Sequence, residues 1–141
     1  MQHKCKVTVI DKMLNTELQK KYCADPESGK CPCFNIGDEF IFERANGKDD
    51  FWHCGTGTLV KSGGQISDAP MAGGTSPIVQ CGSPGIPFCS EAWDAISRYI
   101  YTALQGGSII RGWMKNENEM IACCNDGTRP VIFKIERIDE E

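Results

Sequence analysis

The sequence predicts an α+β domain built on a mainly antiparallel sheet, and three observations carry that prediction. Alternating apolar and polar residues near both ends, in Cys5-Lys6-Val7-Thr8-Val9-Ile10 and again from Val131 to Ile135, have the period of half-buried strands. Between them runs one helical stripe, Trp93, Ile96, Ile100, Ala103 and Leu104, without the regular strand–helix alternation of a parallel sheet. The last stretch reverses on Asn125-Asp126-Gly127, residues that fold back on their own backbone, so its two apolar arms read as a C-terminal β-hairpin.

Taken in order, the first strand buries Cys5, Val7 and Val9. Thr16-Glu17-Leu18-Gln19 has the form of a capping box and opens a short N-terminal helix to about Tyr22, with Leu14, Leu18 and Tyr22 on its inner side. Ala24 to Gly29 is a loop by composition. Asn35 to Asp38 turns into a strand with Phe40 and Phe42 on one face and Glu39 and Glu43 on the other. Asn46-Gly47 signals a hairpin whose returning arm runs from Asp49 to Cys54. From 55 to 87 the glycines and prolines leave no strong period, so a long loop insertion is expected, of the sort that carries function or meets a partner. Ser90 is the expected N-cap of the longest helix, over about 90–105, with Glu91 and Asp94 in its first turn and Gly106-Gly107 as its stop. Ser108 to Met114 is a packing loop or short strand. Gly127 is expected in the left-handed conformation at the hairpin tip.

The 141 residues suit one domain, 1–141, with enough length for a real core. A net charge of −4 and scattered lysines and arginines argue against a nucleic-acid partner. Val7 to Ile10 is far short of the roughly 7–15 apolar residues of an export signal or the roughly 20 of a membrane span. The expectation is therefore a cytoplasmic protein with no membrane partner. Nine cysteines, an odd number, then stand in a reducing compartment where structural disulfides are rare. Each is either a small buried hydrophobe or part of a chemical site.

Phe88-Cys89-Ser90-Glu91-Ala92-Trp93, together with Cys124-Asn125-Asp126-Gly127-Thr128-Arg129-Pro130-Val131-Ile132-Phe133-Lys134-Ile135-Glu136-Arg137-Ile138, resembles a small prokaryotic family of conserved hypothetical proteins. That family is frequent in anaerobic bacteria and archaea and ends in a C-x-D-G-x-R-P-V-x-F-K-I-E-R-I signature. The segment from Cys31-Pro32 to Phe42 is similar to it too. The resemblance implies a common fold unit and compartment and transfers no reaction.

The chemistry-bearing residues fall into three sets. Cys31, Cys33, Cys89 and one of the adjacent Cys123 and Cys124 make four soft sulfur donors, the number that suits zinc or an iron–sulfur cluster. Side chains of adjacent strand residues point to opposite faces, so only one of Cys123 and Cys124 serves a shared site; Cys124, next to the turn, is the expected one. Without metal, the same thiols suit redox chemistry, with Cys89 at a helix N-terminus. Asp126 and Arg129 at the hairpin tip are candidates for an anionic ligand or for pairing with each other. Catalytic candidates are thus Cys89, Cys124, Asp126 and Arg129, with Asp38, Glu39 and Asp94 behind them; His53 beside Cys54 is a weak pair. Trp52, Trp93 and Trp113 are expected in core or interface. The competing class is a homo-oligomeric assembly or small-molecule-binding module with structural cysteines, meeting a protein partner through the 55–87 loop.

Overall fold

The computed structural model describes residues 2–43 and 89–140. They form strand β1 (Gln2–Lys12), helix α1 (Thr16–Tyr22), strand β2 (Glu39–Glu43), helix α2 (Ser90–Gln105), and strands β3 (Glu119–Cys123) and β4 (Val131–Glu140). The strands make one sheet in the order β2-β1-β4-β3, antiparallel at every junction. Helix α2 covers one face and touches all four strands. This is the expected α+β architecture, with β3 and β4 as the C-terminal hairpin. No helix among the described residues is long and apolar enough to cross a membrane. The Asn46-Gly47 hairpin, Cys54, Cys81, His53, Trp52 and the 55–87 loop lie outside the described residues.

The period of two decides which residues meet the helix. One row runs across the whole sheet as Phe40, Val7, Ile135 and Met120, each opposite the next. The row beside it joins Val9, Phe133 and Ala122. From α2, Ala92, Ile96, Ile100, Ala103 and Leu104 close onto these rows, all buried, as the 3.6-residue period predicts. The other sheet face is a lattice of charge. Glu119 and Glu136 stand directly opposite each other, a repulsive pair, and Lys134 lies between them at 3.5 and 3.3 Å. Burial would lower the Lys134 pKa, but the two carboxylates outweigh it and raise it.

Cys5 is fully buried in this core, as the alternation with Val7 and Val9 predicts. Burial, with the charge of Glu136, pushes its thiol up from 9.0 to about 12. The unfolded chain ionises this thiol near 9, whereas the folded chain holds it protonated up to about 12. The resulting stabilisation is complete below the unfolded value and is lost as pH rises through that window. The wild type is expected to lose about 2 kcal/mol more than Cys5→Val between pH 8 and 10.5, measured by urea unfolding under reductant.

At its C-terminus α2 stops on Gly106, left-handed at φ +85°, as the Gly-Gly stop predicts. Arg137 Nη1 donates to the Gly106 and Gly107 carbonyls at 2.7 and 2.6 Å, satisfying groups that the helix leaves open. His3, tied to Asp139 at 2.7 Å, packs its ring on Gly106. A Cβ at Gly106 would overlap His3 Nε2 and come within 2.8 and 2.9 Å of its ring carbons. Gly106→Ala is therefore expected to cost about 2 kcal/mol in denaturant unfolding, from left-handed strain plus the displaced imidazole. Adding His3→Ala should recover the second part.

Three local expectations are corrected. The cap of α2 is Cys89, with no side-chain cap hydrogen bond, and Ser90 is the first helical residue. The cap of α1 is Asn15, whose side chain accepts from the Leu18 N–H at 3.2 Å, so Thr16 and Gln19 do not form a capping box. The inner side of α1 is not Leu14, Leu18 and Tyr22: Tyr22 is 70% exposed and Leu18 39%, while Gln19 is buried. A seven-residue helix at the domain edge lacks a core to face, so polar anchoring decides its rotation. Trp93 fits its helical position, half-buried and stacked near Phe42 at 6.3 Å. Trp113 is 76% exposed and belongs to no core.

Candidate functional site

Two loops and one helix start meet at the end of the sheet where β4 begins. The first loop carries Cys31-Pro32-Cys33. It is held upstream by Gln19, whose Oε1 accepts from the Gly29 N–H at 2.9 Å and whose Nε2 donates to the Gly29 carbonyl at 3.0 Å. Gly29 needs its positive φ of 78° to present both groups. Downstream the loop is nailed by Phe34, fully buried and edge-on to Phe133 at 5.3 Å and to Phe40 at 6.0 Å. The Cys33 N–H then turns back to donate to Cys31 Sγ at 3.4 Å.

The second loop is the hairpin tip, 124–130. Its base is closed by the Cys124 N–H donating to the Val131 carbonyl at 3.2 Å, and by the Val131 N–H donating to Cys124 Sγ at 3.4 Å. The Thr128 and Pro130 carbonyls accept from the Asn15 and Met13 N–H groups, both at 2.8 Å. The Asn125 N–H donates to the Glu91 carbonyl at 3.4 Å, which sets the tip beside the first turn of α2, where Cys89 is the cap. Gly127 is not left-handed; the tip is shaped instead by Asp126, whose carboxylate accepts from the Thr128 N–H and hydroxyl at 2.9 and 2.8 Å. An Asx turn replaces the glycine turn because the side chain supplies the backbone's partner.

Cys31, Cys33, Cys89 and Cys124 all pack, partly buried, against the same hydrophobic core. Cys123 and Cys124 do face opposite ways: Cys123 is exposed on the charged sheet face, and Cys124 turns toward the core. Burial raises the Cys124 pKa, the N–H groups of Val131 and Asp126 oppose that, and the charges of Cys31 and Asp126 add to it, leaving a net upward shift. The electrostatic reach of Cys31 to Cys124 sets these two cysteines, 93 residues apart in the chain, in one neighbourhood.

Arg129 Nε donates to Asp126 Oδ2 at 3.2 Å, so the tip residues pair with each other. Burial alone would raise the Asp126 pKa, and the two Thr128 contacts with Arg129 outweigh it, leaving a carboxyl below its ordinary range. For Arg129, burial works against the cation, while Asp126, Cys31 and Cys33 favour it, and the net shift is upward. The guanidinium thus stands within electrostatic reach of both thiols of the first loop.

Among the described residues no group of three or more His, Cys, Asp or Glu side chains is arranged to hold a metal ion. An open cleft of about 290 Å³ lies between the start of α1 and the hairpin tip, lined by Met13, Leu14, Asn15, Glu17, Gly127 and Pro130, and includes none of the thiols. Asp38 is structural: its carboxylate accepts from the Asn35 N–H at 2.8 Å and its carbonyl from the Val9 N–H at 2.9 Å. Glu91 and Asp94 are exposed on α2. Two site-building residues, Gln19 and Phe34, carry no sequence signal for this role. Among the described residues no disulfide joins one cysteine to another.

Fold and site define a two-layer α+β domain with a thiol-rich end. No family model matches the chain, and no curated protein or solved structure matches it.

Proposed function

We propose that the protein carries out thiol–disulfide chemistry at Cys31 and Cys33, with Cys89 and Cys124 around them. The observation that supports this most is the packing of Cys31, Cys33, Cys89 and Cys124 against the same core, with Arg129 within electrostatic reach of Cys31 and Cys33. The thiolate is the form of cysteine that attacks sulfur. In the proposed step the Cys31 thiolate attacks one sulfur of a small disulfide, forming a mixed disulfide and releasing one thiolate, which takes up a proton. The Cys33 thiolate then attacks Cys31 Sγ, forming the Cys31–Cys33 bond and releasing the second. The dithiol loses two electrons and the small disulfide gains them. Stopped-flow release of free thiol, with peptide mapping of the oxidised chain, tests this; failure of any disulfide to oxidise Cys31 and Cys33 overturns it.

A second reading is a soft-metal site, zinc or an iron–sulfur cluster, held by Cys31, Cys33, Cys89 and Cys124. It is favoured by the backbone N–H groups that donate to Cys31 and Cys124 sulfur, the donors that steady metal thiolates. The two loops and the start of α2 would have to close further to share one ion. Metal analysis with an absorption spectrum of anaerobically purified protein decides it: a colourless, metal-free sample that stays folded in chelator excludes this reading. Cysteines without a disulfide between them among the described residues suit a reducing, cytoplasmic setting. Homo-oligomer formation through edge strand β3, with half-exposed Ile121, is the assembly alternative, and light scattering at high concentration tests it.

A further inference from the structure

Arg129 is held more firmly than its place at a loop tip requires. The carbonyls on either side of it, Thr128 and Pro130, both accept backbone hydrogen bonds at 2.8 Å, and its Nε is tied to Asp126 at 3.2 Å. Only Nε is engaged: among the described residues no acceptor meets either Nη. The side chain is one-third exposed, so those two nitrogens remain open to a ligand. A guanidinium fixed at its base with a free fork is the arrangement that takes a carboxylate bidentately. The first-loop thiols stand within reach of its charge, so whatever the fork holds is held near sulfur.

We infer that Arg129 is the substrate-binding residue of the thiol site and that the preferred substrate is a small disulfide bearing carboxylate groups. The inference rests on the thiol–disulfide reading above. It carries a discriminating feature: a chain of net charge −4 repels anions, so a preference for an anionic disulfide requires a local cation. Asp126 does not supply the missing partner of the fork: its Oδ1 accepts from Thr128, and its Oδ2 meets Arg129 through Nε alone.

The test compares oxidation of the reduced full chain by oxidised glutathione, which carries carboxylates, and by bis(2-hydroxyethyl) disulfide, which is neutral. The wild type should favour the carboxylated probe by about tenfold, the worth of one charge-assisted contact. Arg129→Gln should slow the carboxylated probe more than the neutral one and so bring the ratio of the two rates close to one, and Arg129→Lys should keep part of the preference. On the wild type alone, raising ionic strength from low salt should shrink the preference toward one. That series needs no variant to fold. A ratio unmoved by Arg129→Gln in a folded protein, or a wild-type ratio indifferent to salt, overturns the assignment. If neither probe oxidises Cys31 and Cys33, the thiol–disulfide reading itself falls; if both do at equal rates, only the role of Arg129 does.

Discussion

Phe34→Ala is expected to destabilise the protein by about 3–5 kcal/mol, the range for emptying a fully buried aromatic position. Phe34 is 1% exposed and lies edge-on to both Phe133 and Phe40, so the truncation removes two ring contacts as well as apolar burial. It should also act on the site. Phe34 follows Cys33 directly and is the loop's only fully buried side chain, so its loss detaches Cys31 and Cys33 from the sheet while Gln19 still holds Gly29. Urea unfolding reads the first effect. The second appears as faster alkylation of Cys31 and Cys33 in the folded state, measured by mass spectrometry below the unfolding transition. Unchanged alkylation with lowered stability would mean that Phe34 holds the core and not the loop. Phe34→Leu, which keeps most of the volume, should restore much of both.

Cys31→Ser is expected to slow reaction with a small disulfide by about a hundredfold or more, because a hydroxyl replaces the thiolate nucleophile. Folding stability should move by less than about 1 kcal/mol, since Cys31 is only half-buried and the change is nearly isosteric. Cys33→Ser should behave differently: attack by Cys31 still occurs, but nothing resolves it. The mixed disulfide then accumulates, and intact mass rises by one substrate half. Equal accumulation in wild type and Cys33→Ser would show that Cys33 does not resolve the intermediate, and would turn attention to Cys124, the other thiol within reach of Cys31.

Much of the fold was legible beforehand because its signals are periodic and local. Cys5, Val7 and Val9, then Phe40 and Phe42, show their buried faces by alternation alone, and Gly106 marks the end of α2 because only glycine takes that conformation cheaply. Opposite orientation of Cys123 and Cys124 also follows from the strand period. Local signals failed where polar groups compete. Asn15 and Thr16 both cap helices well, and the choice between them was made by the Asn15 backbone bond to Thr128, on another loop. Gly127 lost the left-handed position because Asp126 shapes the turn from its side chain.

Strand periodicity, the helical stripe and the turn residues determined on their own an antiparallel sheet with one helix across it, since those patterns state which side of each element must leave water. They also singled out Cys31, Cys33, Cys89 and Cys124 by residue type. Only the tertiary structure decided that these cysteines share one end of the domain with Arg129. That neighbourhood depends on the order β2-β1-β4-β3, on Phe34 seated against Phe133 and on Gln19 grasping Gly29, contacts between residues far apart in the chain. No local pattern encodes such contacts, because each stabilises only after the sheet has brought its partners together.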